Sequence, residues 1–148
     1  MIQRRDIVRE TRSWVGTRYR HQGRVKGVGV DCIGLVGGVA LAVGVPNAAD
    51  WFADRDMHNY ARTPDRALLL RACARFFDPV PLPTARDGDV LLFALQGQPR
   101  HFAILVDEHR QRIVHAYALL AARRVVEQGL PIALATTLGA YRFKGVAE

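Results

Sequence analysis

The apolar pattern changes period once along the chain, near residue 85, and that change dictates the class of fold. Before it, the segments 4–15, 32–43 and 64–77 carry their apolar residues at helical spacing. After the turn-like "PVPLPTARDGD" come "VLLFAL", "HFAILVD", "RIVHAY" and "RRVVE", short runs rich in branched and aromatic side chains. They are separated by "QGQPR", "EHRQ" and "ALLAA". A short helix after Pro131 and a last strand at 140–144 are expected to close the chain. Helices followed by hairpin-connected strands predict an α+β fold, with helices packed on an antiparallel sheet. At 148 residues and 49% hydrophobic content, one domain covering 1–148 with a substantial core is expected. There is no internal repeat and no low-complexity tract.

Composition excludes several classes. The opening "MIQRRDIVRETRSWVG" lacks the apolar centre of a signal peptide and reads as an amphipathic helix, so synthesis without Sec export is expected. The most apolar window, "IGLVGGVALAVGVP", is shorter than the roughly 20 residues that span a bilayer, which predicts a soluble chain without membrane insertion. Net charge is +7, enriched at Arg4, Arg5, Arg9, Arg12, Arg18, Arg20, Arg24 and Lys26. The charges form no long run and no aromatic residues are interleaved with them, so loose electrostatic steering is favoured over specific nucleic-acid binding. Two cysteines 41 positions apart make neither a disulfide framework nor a zinc knuckle, and no cofactor is called for.

The two thiols sit in different settings. Cys73 falls on a helical stripe with Leu69, Ala72 and Phe76, behind a cap and first turn at Thr63 and Pro64, and reads as core. Cys32 follows "VKGVGVD", which cannot be regular helix, and opens "CIGLVGGVALAVG", where Ile33, Val36, Ala40 and Val43 share a stripe. It therefore lies in a first helical turn, where unpaired N–H groups favour a thiolate, with Asp31 placed as the N-cap. A nucleophilic thiol needs a base, and the base needs an orienting partner. His21, His58 and His109 sit in polar surroundings and are expected to face solvent. His101 and His115 each lie in an apolar strand, and a hairpin turning at residue 108 would set them directly opposite each other on one face. Two other readings remain open: ordinary strand histidines bonded to the backbone, and a zinc site of Cys32, His101 and His115 with an open fourth position.

With these residues in view, "VDCIGLV", "DGDVLLF", "RHFAILV" and "VHAY", in that order, resemble the NlpC family of papain-like bacterial cell-wall cysteine peptidases. "GTRYRHQGRVKGVGVDC" resembles the family's opening, and "GAYRF" resembles the ending of its single-domain phage-tail and gene-transfer-particle members. The resemblance covers residues 3 to 144 and implies a papain-like fold. It implies Cys32 as nucleophile, His101 as base and His115 as the residue orienting His101, with Tyr19 and Asp31 shaping the substrate site. The implied substrate is a peptidoglycan stem peptide, cut between D-glutamate and diaminopimelate. The implied setting is a phage tail or gene-transfer particle acting at the cell wall, with other tail proteins as partners. Many family members have serine after the cysteine where this chain has Ile33, and residues 45–85 carry no readable motif. The rival readings are a thiol amidase or acyltransferase on another substrate, and a non-catalytic tail module that binds wall polymer or DNA.

Overall fold

The segment Cys32–Val43 has an apolar residue or glycine at every position, so as a helix it offers water no polar face and must be enclosed. The computed structural model describes residues 1–53, 66–95, 97–117, 123–132 and 135–148, and it places this helix, α2, at the centre. Every residue from Cys32 to Ala40 is buried. Asp31 caps the start by accepting the Gly34 N–H at 2.8 Å, and Gly44 closes the end in a left-handed conformation at φ 83°. Around it lie α1 (Arg4–Ser13), α3 (Ala48–Ala53), α4 (Arg66–Phe76) and a sheet.

The glycines of α2 are docking points. A methyl group at Gly37 would come within 2.1 Å of the Trp51 ring, and one at Gly38 within 2.4 Å of Trp14. At Gly34 it would meet the carbonyl oxygen of Gly23 at 2.1 Å. Trp51 is fixed there by its indole N–H, which donates to the Ile33 carbonyl at 3.0 Å.

The main sheet runs β3 (Phe77–Val80), β8 (Ala135–Phe143), β4 (Val90–Leu95), β5 (Gln98–Asp107), β6 (Arg112–His115) and β7 (Val126–Gly129), in that spatial order. Every neighbouring pair is antiparallel. Side-chain alternation divides its residues between two cores: Phe102, Ile104 and Val114 join the helices, whereas Phe93, Ala103, Leu105 and Ile113 pack on the opposite face. A small hairpin, β1 (Arg24–Val25) and β2 (Gly29–Val30), leads into α2.

One buried carboxylate ties the sheet to α1. Asp89, fully buried ahead of β4, accepts from Arg142 Nε and Nη2 at 3.0 and 2.9 Å, from Arg4 Nη1 at 3.1 Å, and from the Arg86 N–H at 2.8 Å. Both oxygens are thereby satisfied, as a buried charge requires. Close by, Ile2 bridges Val146, with Ile2 N–H on the Gly145 carbonyl at 3.1 Å and Ala147 N–H on that of Ile2 at 2.8 Å.

The expected α+β class is the observed one, and the helix expected over 32–43 has those bounds. The first helix stops at Ser13, two residues short of the expected end, because Gly16 N–H pairs instead with the Val125 carbonyl. The third covers Arg66–Phe76, with its expected cap, Thr63 and Pro64, outside the described residues. Cys73 is buried core as expected. Three expectations are corrected. Residues 135–143 form one strand instead of a helix followed by a strand at 140–144, because Thr136 and Thr137 pair with Ala94 and Phe93. Phe77–Val80, read as helix end and turn, pairs with β8 instead. The separator "QGQPR" already belongs to β5 from Gln98 onward.

Replacing an interior helical glycine by alanine ordinarily favours a helix by about 1 kcal/mol. Gly37→Ala is expected to do the reverse, costing about 1–3 kcal/mol through displacement of Trp51. Urea unfolding of the two proteins checks the sign.

Candidate active site

Asp31 stands directly before the thiol-bearing residue. Its Oδ1 accepts the Gly34 N–H and its Oδ2 accepts the Gln22 N–H, both at 2.8 Å, so one carboxylate binds the loop before β1 to the start of α2. Tyr19 stands in the same wall, beside Val30, its N–H donating to the Arg123 carbonyl at 2.8 Å. Asp31 is 3% exposed, so its carboxylate serves these backbone groups and not solvent.

Cys32 occupies the first turn of α2, as expected, and is 6% exposed. Burial pushes its thiol up to about 12, and the adjacent Asp31 charge adds to the rise. Backbone hydrogen bonds from Phe102, Ile33 and Cys32 itself pull the other way without overcoming desolvation. The helix N-terminus alone would favour the thiolate, but in this enclosed setting the resting thiol is neutral.

His101 and His115 come together as expected, but in a different register. Ile104 faces Val114 and Leu105 faces Ile113, and a bulge then shifts the pairing to Asp107 and Arg112. The turn consequently lies at 108–111 and the two histidines are diagonal neighbours instead of direct ones. Because the displacement is an even number of residues, both rings stay on one face. Nε2 of His101 lies 2.7 Å from Nδ1 of His115. Tyr117 takes the place across from His101, with ring centroids 4.7 Å apart.

Both histidines are buried, and burial lowers their basicity, that of His101 well below the ordinary 6.5. The neighbouring His115 lowers His101 further, whereas a hydrogen bond to Gln128 opposes the fall at His115. That bond joins His115 Nε2 to Gln128 Oε1 at 2.7 Å. Gln128 escapes a reading that ends the strand "RRVVE" at residue 127; its parity with His115 across the β6–β7 pairing is the signal that finds it. His109 is exposed as expected, His21 is half-buried contrary to expectation, and His58 lies outside the described residues.

The thiol and the imidazole pair are linked through adjacent residues of β5. Cys32 sits on the backbone of Phe102, whose side chain joins the helix-side core, and His101 is the residue immediately before it. Among the described residues no hydrogen bond joins Cys32 to His101. Burial favours the neutral form of both the thiol and the imidazole. No cluster of three or more histidine, cysteine, aspartate or glutamate side chains able to hold a metal ion occurs among the described residues, so the zinc reading finds no ligand set. No described helix is long and apolar enough to cross a membrane.

No protein-family model and no curated protein matches this chain. Solved structures do. The NlpC/p60 domain of the peptidoglycan hydrolase SagA matches with a TM-score of 0.62 at 19% identity, over 95% of this chain and 98% of that one. An NLP/P60-family protein from Staphylococcus aureus, similar to a lipoprotein, matches with a TM-score of 0.61 at 19% identity, over 95% of this chain but 41% of its own. RipD of Mycobacterium tuberculosis, described as a non-catalytic NlpC/p60 domain protein adapted to peptidoglycan binding, matches at 0.59 and 13% identity, over 94% and 95%. The chain thus has the NlpC/p60 fold and spans less than half of the S. aureus protein.

The shifted groups fix the pH range of stability. Below about 6.5 the unfolded chain takes up protons that His101 and His115 refuse when folded, so stability falls as pH drops through that region. Above about 9 the unfolded thiols release protons that Cys32 and Cys73 retain, so stability falls again as pH rises. Thermal melting across pH should show both declines, and His101→Gln should flatten the acidic one. An acidic decline unchanged in His101→Gln would contradict this assignment.

Proposed function

We propose that this protein is a cysteine peptidase that hydrolyses an amide bond in peptidoglycan stem peptides. The observation that carries the reading is Cys32 at the start of a buried helix in an NlpC/p60 fold, held against the backbone of Phe102, the residue that follows His101 of the hydrogen-bonded His101–His115 pair. In this mechanism Nδ1 of His101, the ring nitrogen not engaged by His115, takes the thiol proton as Cys32 attacks the carbonyl. Asp31 occupies the Gly34 N–H, which leaves the N–H groups of Cys32 and Ile33 at the sulfur to hold the oxyanion. His101 then delivers the proton to the departing amine, and the same ring activates water to release the acyl group. His115 keeps the ring aligned. Tyr19 and Asp31 act as the substrate wall, Asp31 through the loop it holds.

Within this reading the bond cut is that between D-glutamate and diaminopimelate, and the setting is a phage-tail or gene-transfer particle that opens the wall locally, with other tail proteins as partners. RipD supplies the rival, a domain of this fold that binds wall polymer without turnover. The presence of Cys32, His101 and His115 together favours catalysis. Amide hydrolysis on a different substrate is the rival within enzymes.

Release of new amino groups from diaminopimelate-type peptidoglycan, with the fragments identified by mass, tests the proposal. Wild type should release stem-peptide fragments and Cys32→Ala none, while His115→Ala should lose less rate than His101→Ala. Polymer binding without turnover would favour the RipD-like role. Failure to associate with purified tail components would remove the particle assignment and leave the chemistry standing.

A further inference from the structure

The hydrogen bonds behind His101 do not end at His115, and their direction matters more than their number. Gln128 presents its carbonyl oxygen, Oε1, to Nε2 of His115 at 2.7 Å. A carbonyl only accepts, so the proton in that bond belongs to His115 Nε2. A neutral His115 then has a bare Nδ1, which is the atom 2.7 Å from Nε2 of His101. The proton between the two rings must therefore sit on Nε2 of His101, and Nδ1 of His101 is left as a lone pair. With the amide turned round, its NH2 would donate to His115, the proton of His115 would move to Nδ1, and His101 would carry its own proton on Nδ1. In that state His101 cannot accept a proton from a thiol.

We propose that Gln128 is a positioning residue whose carbonyl sets the tautomer of both histidines and so keeps Nδ1 of His101 free to act as the base. The proposal rests on the peptidase reading for its purpose, though not for its geometry. An amide performs this task without adding charge, which leaves both buried rings neutral; a carboxylate at the same place would stabilise imidazolium. Among the described residues, the neighbouring carboxylate does not compete for the role. Glu127 pairs with Val114 on the helix-side face and is held by Arg12 and Arg112 at 2.8 and 2.9 Å. Tyr117 stacks against both rings at 4.7 and 5.9 Å, and the Cys32 thiol accepts from the backbone of Phe102, next in the chain to His101. The fixed tautomer parallels the arrangement by which a buried acceptor holds the catalytic imidazole of serine hydrolases.

The test combines nitrogen-15 NMR of histidine-labelled full chain with kinetics on diaminopimelate-type peptidoglycan, for wild type, Gln128→Leu and Gln128→Glu. Wild type near neutral pH should show both histidines protonated on Nε2 and bare on Nδ1. Gln128→Leu should relax that preference and lower kcat about 10-fold with KM unchanged. Gln128→Glu should restore the tautomer and the rate near neutral pH while moving the acidic limb of kcat/KM upward. A wild-type His101 protonated on Nδ1, or a Gln128→Leu protein with the tautomers and pH profile of wild type, would overturn the proposal. Expected tautomers without any Cys32-dependent release would support the relay and sink the peptidase reading, so the two fail separately.

Discussion

The structure depends on enclosing a helix that has no polar side. Once Cys32–Val43 forms, water has to be excluded along most of its length, and the chain answers with α1, α3, the β1–β2 hairpin and β5 packed around it. The glycines let this enclosure close at backbone distance, with Trp14 and Trp51 lying where methyl groups would otherwise stand. Every residue from Cys32 to Ala40 is buried, so the first turn of the helix is enclosed as fully as its middle. Placing a thiol in that first turn makes it part of the core and of the site at once.

Burial then acts on the reacting groups in opposite senses. It raises the thiol and lowers the imidazole, which separates the two affinities for a proton in the direction that disfavours an ion pair. For the proposed chemistry, the proton must move when a carbonyl occupies the N–H groups at the head of α2 and charge has somewhere to settle. The same low-dielectric surroundings that hold the groups neutral strengthen each hydrogen bond to developing charge. A neutral buried thiol of this kind is protected from adventitious reaction.

Much of this was legible in the sequence for reasons of parity. Cys32 announces itself by following a segment that cannot be helical, and His101 and His115 by standing in apolar strands an even number of residues apart. That parity survives the bulge at residue 106, which is why the pair meets although the register differs by two. The bulge itself leaves no trace in composition, since it depends on how Asp107 meets Arg112 in space. Gln128 was hidden for a related reason: its partner lies diagonally across a strand boundary that sequence pattern draws too early. Asp89 read as part of a turn, because the two arginines that complete it come from residues 85 positions before and 53 positions after it. The strand over 135–143 was obscured by the small, helix-favouring residues around Pro131, and only its partners on β4 reveal it. The NlpC-type fold implied by the quoted motifs is the fold found, whereas a phage-tail setting would concern assembly, which the packing of one chain does not display.

The bridge between Ile2 and Val146 has a consequence of its own. The points where the chain enters and leaves this body lie side by side, about 4.8 Å apart if the spacing is that of neighbouring strands. A larger polypeptide could accommodate the whole unit within one of its surface loops, because the interrupted loop would have to open by no more than a strand's width. Insertion of such a body into a loop of another chain would therefore stretch that loop little.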